Sequence, residues 1–317
     1  MTTRRSFLAA STAAAAGAFI SKGASAADVA TTQLPAKWDA ETDVLVAGSG
    51  IAGMSAAISA LDKGAKVLVM EKGKNYGGCA IINGGIIALG GGTRTQKEHG
   101  VEDSPEKLYK KLTNPAHHEY RKNTPELVKK YSEWCPGTQV WLEEHGVKFL
   151  PTFTRPGKYD SQHHESYHHI WWKDSGEGGR KPQPTGGFMT GRGIMMPYYE
   201  YFTGKGGQIF LEHKVVDVYV NDQGAVVGAK VQKPDGSIMN VKANKGVVLA
   251  GGSWKANPEL RRLTDPRFTE NMISTGYPFV APDGSAILAG MRAGGMYVGD
   301  RCEDTPHLRR KFGTAHY

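Results

Sequence analysis

Cysteine is scarce in this sequence. Cys79, Cys135 and Cys302 are spread over 317 positions, with no Cys-x-x-Cys and no Cys-x-x-Cys-His. That spacing excludes a covalently attached c-type haem and a cysteine-ligated iron–sulfur cluster within the chain. The odd count also argues against a disulfide framework. Charge of one sign is weak as well. The formal net charge of +8 falls to +5 once Arg4, Arg5 and Lys22 of the N-terminal segment are set aside. No clustered basic stripe accompanies it, so nothing supports nucleic-acid binding. Lys110-Lys111 and Lys129-Lys130 fall on helix-like stretches and read as solvated faces. What is plentiful is glycine, 41 residues, within a composition that is 39% hydrophobic and 22% charged. Such a chain can bury a core, and its length suits one large or two ordinary domains.

The N-terminus reads as an address. Thr3-Arg4-Arg5-Ser6-Phe7-Leu8 precedes an Ala-rich, mildly apolar stretch and then the small-x-small site Ala24-Ser25-Ala26. The segment resembles a twin-arginine signal peptide, cleaved after Ala26. The alternative, a membrane anchor, suits it less, because the apolar run is short and weakly hydrophobic against the roughly 20 residues a spanning helix needs. The expected organisation is signal peptide (1–26), linker (27–39) and one further domain (40–317), with delivery to the periplasm or another extracytoplasmic compartment. Twin-arginine export carries folded proteins, often loaded with a cofactor.

Residues 44–72 (VLVAGSGIAGMSAAISALDKGAKVLVMEK) carry a Gly-x-Gly-x-x-Gly pattern. In a glycine-rich chain the pattern alone is weak, and its context decides. Residues 42–47 (TDVLVA) suit a buried parallel strand, residues 52–61 a helix packed closely on a sheet, and residues 66–70 a second strand ending in Glu71. Strand, glycine turn, helix, strand and acid at about 20 residues form the complete dinucleotide unit. Gly48 permits the tight turn, Gly50 lets the backbone approach a pyrophosphate, and Gly53 brings helix and strand together. The helix start at Ile51 and Ala52 offers N–H groups and partial positive charge to phosphates. Glu71 can accept both ribose hydroxyls and would repel a 2′-phosphate. The loop is expected to hold an ADP moiety.

The next segment separates FAD from NAD. "NYGGCAIINGGIIALGGGT" places Gly77, Gly78, Gly84, Gly85, Gly90, Gly91 and Gly92 in one apolar stretch. Such density fits a backbone folded against an extended dinucleotide and a flat isoalloxazine ring, whereas NAD domains continue with ordinary strand–helix alternation. With this segment the chain resembles the FAD domain of the fumarate reductase/succinate dehydrogenase flavoprotein superfamily. "INGGIIALGGGTRTQKEHGVEDSPEKLYKKL" is most similar to its 3-ketosteroid dehydrogenase-like branch. Residues 207–230 read as strand, strand, Asp-Gln-Gly turn, strand, and "GVVLAGGSW" (246–254) as the strand that returns beneath the pyrophosphate. "PDGSAILAGMRAGG" (282–295) resembles the helix that follows, with Pro282 where the family has Gly.

The resemblance covers roughly residues 40–300. It implies an α/β fold, a Rossmann-like FAD-binding domain with a central parallel sheet, helices and an added β-meander. It implies cofactor contacts at Glu71, Lys72, Gly77, Gly78, Cys79, Gly84 and Gly85. It also places an adenine-contacting backbone group at Val215 and further contacts at Ala250, Gly251, Gly252, Asp283 and Gly284. Some members bond flavin to a histidine after the Gly-Gly pair; here Cys79-Ala80 follows, so FAD is expected to be non-covalent. The implied chemistry is hydride and proton transfer across a carbon–carbon bond beside a carbonyl, on an enoate such as fumarate or a ketosteroid-like enone. An external donor such as a cytochrome or quinone-linked protein is implied. The alternatives are an exported flavin-binding or electron-transfer protein without its own substrate site, or an amine-oxidising enzyme of the aspartate oxidase type.

In this superfamily the substrate-clamping domain and its proton donor lie mostly beyond the point matched by residues 299–317. No catalytic residue is therefore assigned, and the chain alone is expected to be inactive. Within the domain, Ser104-Pro105-Glu106 and Thr124-Pro125-Glu126 are N-cap, Pro-at-N1 helix starts framing a helical excursion at 104–145. Residues 180–202 read as a loop and then a helix, with Met195, Met196 and the aromatics Tyr198, Tyr199 and Tyr201 as core rather than site. "SQHHESYHHIWWK" (161–173) could ligate a metal through His163, His164, His168 and His169, or face flavin or substrate. A surface loop is the expected reading, with no metal.

Overall fold

The computed structural model describes residues 32–114, 124–154, 166–171, 191–264, 272–274, 280–297 and 308–310. The expectations for Arg4, Arg5 and the 24–26 cleavage site, and those for His163, His164 and Cys302, lie outside these residues.

β1 (Ala40–Ala47) runs into a glycine turn, helix α1 (Ile51–Asp62) and β2 (Val67–Met70), in the order the sequence predicts. α1 stops where Gly64, at φ 77°, donates its N–H to the Leu61 carbonyl at 2.9 Å. β1 and β2 pair in parallel, Val44 opposite Val67 through Ala47 opposite Met70. Beyond β2 lies β6 (Gln208–Phe210), also parallel. On the other side lies β9 (Ile238–Leu249), parallel to β1 along 241–249. The first half of β9 turns antiparallel to β8 (Val226–Gln232), and β8 to β7 (Lys214–Val220). The six strands stand in the order β6-β2-β1-β9-β8-β7. This is the expected parallel sheet with a β-meander attached, one long strand belonging to both.

Alternation along the strands sorts the core into two layers. Val46, Val67 and Val69 face α1 and helix α6 (Arg192–Gly204), packing on Met54, Ile58, Ile194, Met195, Tyr198 and Phe202. Leu45, Leu68 and Met70 face the other way, onto Val215, Val218, Ala229 and Val231. Both faces are covered, which is why these strands read as continuous apolar runs. Met195 and Tyr198 are core, as expected. At the far end, His145 Nε2 lies 2.9 Å from Asp62 Oδ2 and the Tyr201 hydroxyl donates to Asp62 Oδ1 at 2.6 Å, pinning α1 to α6 and to the helix before His145.

The glycine-dense segment opens with one turn of helix, α2 (Gly78–Ile81), and continues as β3 (Ile86–Leu89) and α3 (Arg94–Glu98). Helices α4 (Pro105–Leu112) and α5 (Pro125–Glu144) form the excursion. Ser104 caps α4, its hydroxyl accepting the Lys107 N–H at 3.2 Å. Thr124 precedes α5 without a side-chain cap bond. β3 pairs with β5 (Ser166–Ile170), which pairs with β4 (Phe149–Thr154), in a separate antiparallel sheet. Here the expectation of a surface loop over 161–173 is corrected: residues 166–170 form the central strand of that sheet. His168 is 1% exposed, and its Nε2 lies 2.9 Å from the Thr93 hydroxyl. Alternating polar residues conceal a strand whose inward histidine is satisfied by a buried hydroxyl. The remaining elements are α7 (Pro258–Thr264), β10 (Met272–Ser274), α8 (Ser285–Arg292) and β11 (Leu308–Arg310). No helix among the described residues is long and apolar enough to cross a membrane.

Candidate functional site

The loops that leave the carboxyl ends of β1, β2 and β9 converge, the position at which open α/β sheets take their ligands. Backbone bonds set the convergence: the Gly48 N–H donates to the Met70 carbonyl and the Ala250 N–H to the Ala47 carbonyl, each at 2.8 Å. Packing then leaves no room for side chains at two of the three motif glycines. A Cβ on Gly48, at φ 102°, would collide with the Ala250 carbonyl oxygen, and one on Gly53 with the Gly48 carbonyl oxygen. Gly50 differs. Its backbone is extended, at φ −68°, and a Cβ there would meet no atom of the chain within 4 Å.

α1 begins at Gly50 with no side-chain cap and no acidic residue in its first turn. Ile51, at 40% exposure, and Ala52 are open to solvent there. A helix start that leaves its N–H groups and dipole uncompensated, beside a glycine free of neighbours, fits a diphosphate. Gly77 and Gly78, at φ 101° and 51°, turn the chain into α2 against this loop, and a Cβ on Gly78 would stand 3.3 Å from the Gly50 Cα. Cys79 is exposed on the first turn of α2. The turn is anchored by Tyr76, which stacks on Tyr199 with centroids 4.6 Å apart and bonds the Met196 sulfur. Burial, together with Tyr199 and Glu200, pushes the Tyr76 hydroxyl up to about 12, so it stays neutral. Neither Tyr76 nor Met196 carries a site signal in the sequence; their convergence depends on α6 packing beside the loop.

Glu71 is 9% exposed, at the end of β2. Its Oε2 accepts from the Ser49 N–H at 2.9 Å and the Ser49 hydroxyl at 2.6 Å, and its Oε1 from the Gly73 N–H at 2.7 Å. Three of a carboxylate's roughly four acceptor positions are thus taken within the chain. From the sequence Glu71 is expected to meet the ribose alone, and Ser49 carries no signal, because a buried hydroxyl between two glycines has no periodic signature.

Asp283 lies between two lysines: Lys72 Nζ at 3.1 Å and Lys214 Nζ at 2.9 Å. Its Oδ1 also accepts the Ser285 N–H at 3.1 Å at the start of α8. Burial alone would raise its pKa, but the Lys214 bond, the Ser285 amide and Lys72 together hold it well below the usual carboxylate range. Lys72 further donates to the Ala281 carbonyl. Pro282 is buried, and its carbonyl accepts the Ala256 N–H at 2.8 Å. The 281–284 loop is bonded to the 253–257 loop again where the Gly284 N–H reaches the Ser253 carbonyl at 3.1 Å.

The remaining residues divide. Gly251 packs on Ala286 and Gly252 turns at φ 79°, both beside the Gly48 loop. Val215 lies buried in β7 one residue from Lys214, near Asp283. Gly85, buried at φ 66°, gives its carbonyl to the Ile170 N–H at 2.8 Å, so with exposed Gly84 it forms the entry to β3. Gly91 and Gly92 serve packing. Their N–H groups donate to Asp103 Oδ2 and Gln96 Oε1, members of a buried polar network that includes Thr93 and His168. Among the described residues no group of three or more His, Cys, Asp or Glu is placed to hold a metal.

The chain matches the FAD binding domain family over residues 43–308. It is 29% identical over 277 residues to the acrylate reductase flavoprotein subunit of Shewanella woodyi, covering 85% of this chain and 50% of the relative. It is 30% identical over 243 residues to the fumarate reductase (cytochrome) of Shewanella frigidimarina, covering 76% and 38%. The chain therefore spans half or less of the length of these relatives. Among solved structures, 3-ketosteroid-Δ4-(5α)-dehydrogenase from Rhodococcus jostii RHA1 superposes with a TM-score of 0.69 at 28% identity, over 84% of this chain and 57% of that one. An open flavocytochrome c3 fumarate reductase gives 0.63 at 27%, over 81% and 41%. The chain belongs to the FAD-binding domain of the fumarate reductase/succinate dehydrogenase flavoprotein family, whose cofactor is FAD.

Proposed function

We propose that this chain is the FAD-holding part of an exported oxidoreductase acting on a carbon–carbon bond conjugated to a carbonyl. The observation that carries the reading is the converging loop set at Gly48, Glu71 and Ala250, in a chain similar to enzymes named acrylate, fumarate and urocanate reductases and a 3-oxosteroid 1-dehydrogenase. In this proposal the start of α1, with Gly50, Ile51 and Ala52, receives the diphosphate. Glu71 meets the ribose, and the Val215 backbone, beside Lys72 and Asp283, lines the adenosine end. Gly251 and Gly252 lie beneath the diphosphate, and Gly77, Gly78 and Cys79 lie toward the flavin ring, with Gly84 and Gly85 beyond them. Bound FAD supplies a two-electron hydride acceptor and donor at its ring. The chain's own residues bind and orient it, and the absence of histidine in 77–85 supports attachment by non-covalent contacts alone.

An enoate or enone is the proposed substrate, and a cytochrome or quinone-linked protein the proposed electron donor. The relative named fumarate reductase (cytochrome) supports the donor class. The Arg4-Arg5 pair supports export to the periplasm. The test uses the full-length protein. It is expected to purify yellow and to release its flavin on acid precipitation. Under anaerobic conditions, addition of fumarate, acrylate, urocanate or a 3-ketosteroid enone to the reduced protein is expected to give rapid, saturable reoxidation with at least one of them. Flavin retained on the precipitate would refute non-covalent attachment, and reoxidation by none would refute the substrate class.

A further inference from the structure

We propose that Ser49, the residue between the first two motif glycines, is a positioning residue that ties the diphosphate loop to the flavin-side turn through Glu71. The proposal rests on the reading that the dinucleotide lies across these loops. Ser49 is fully buried. Its hydroxyl donates to Glu71 Oε2 at 2.6 Å, and Ser49 Oγ in turn accepts the Gly77 N–H at 3.0 Å. Its backbone N–H joins the hydroxyl on Oε2 at 2.9 Å, and Gly73 holds Oε1 at 2.7 Å. One hydroxyl and one carboxylate thereby bind three separate loops: 48–50, 71–73 and 77–78.

The donor count gives the assignment its content. A serine hydroxyl has one proton, and here it is committed to a buried carboxylate, which must be hydrogen-bonded to remain buried as an anion. Ser49 therefore has no donor left for a phosphate and acts on the cofactor only through its neighbours. It occupies Oε2 together with its own N–H, so the remaining acceptor position of Glu71 is on Oε1. The carboxylate can then meet the ribose through one oxygen, at an angle set by Ser49 and Gly73. The accepting side of the same hydroxyl fixes the amide of Gly77, at φ 101°, and with it the turn into α2. Loss of the hydroxyl loosens both ends together.

The test is a double-mutant cycle in the full-length protein. Apo-protein is titrated with FAD, following flavin fluorescence, for wild type, S49A, E71Q and the double variant. S49A is expected to weaken FAD about tenfold, the scale of one hydrogen bond to a charged group. E71Q is expected to weaken it at least as much, and the double variant to lose clearly less than the product of the two single losses. The visible band of flavin bound to S49A should also lose structure relative to wild type, because the Gly77 turn is released. Losses that multiply in the double variant, or an S49A affinity and spectrum equal to wild type, would overturn the role of Ser49. An E71Q affinity equal to wild type would instead overturn the site reading beneath it. Ser49→Cys keeps the shape but donates weakly, and supplies the same comparison if S49A fails to fold.

Discussion

At the scale of single residues, the three glycines of one motif fall under two different obligations. Gly48 and Gly53 are required by the chain's own packing, and Gly50 is not. Gly53→Ala is expected to destabilise the apo-protein by about 1–3 kcal/mol, since the new methyl must displace the Gly48 carbonyl from under α1. Gly50→Ala should change apo stability by no more than about 1 kcal/mol, the scale of an N-cap preference. It should nonetheless weaken FAD tenfold or more, because its Cβ enters the space proposed for the diphosphate. Thermal unfolding of both apo variants and FAD titration of both decide this. Equal FAD affinity in Gly50→Ala and wild type would remove Gly50 from the site. The motif assigns the three positions different tasks, and the structure names the partners: the Ala250 carbonyl closes on Gly48 and the Gly48 carbonyl on Gly53, while Gly50 stays open.

The element scale is governed by how α8 is seated. Its first residue follows a loop held by Asp283 between Lys72, at the end of β2, and Lys214, at the start of β7. A carboxylate whose folded pKa lies below its unfolded value of 3.8 stabilises the fold above that value. The contribution is lost as pH falls through the folded pKa. Asp283→Asn is therefore expected to lower stability near neutral pH by about 1 kcal/mol, a figure kept small because the group is partly solvent-screened. Variant and wild type should converge as the pH drops below the carboxylate range. Denaturant unfolding from pH 7 to pH 2 measures this, and a constant difference across the range would show that the ion pairs carry none of it. The resemblance implies Asp283, yet Lys214 carries no signal in the sequence, being one lysine of many until β7 pairs with β8 and packs on α8.

One sheet with two apolar faces organises the whole molecule. It brings residues separated by as much as 200 positions to one edge. The glycine loop at 48–53, the acid at 71 and the return at 250–252 are neighbours because β2, β1 and β9 are adjacent in the sheet. At this scale also belongs the proposed route out of the cytoplasm. Lys substitution at both Arg4 and Arg5 is expected to leave unprocessed precursor inside the cell, because a guanidinium pair is not replaced by two ammonium groups at a planar recognition site. Fractionation of cells expressing the double variant tests this, and normal periplasmic delivery would refute the export reading.

The sequence by itself determined the dinucleotide unit, the meander and the helix starts at 104 and 124. Each is encoded locally, by apolar period, by glycine or by a capping residue followed by proline. It also carried the family, through the dinucleotide unit and the glycine-rich segment that follows it. Only the tertiary structure decided what the intervening polar residues do. His168 became a buried strand residue because Thr93 satisfies it from α3. Gly91 and Gly92 are anchored because Asp103 and Gln96 accept their N–H groups. Ser49 became the link between two loops because Glu71 and Gly77 close around it. A buried hydrogen bond needs two partners distant in sequence, and periodicity records only which side of an element a residue faces.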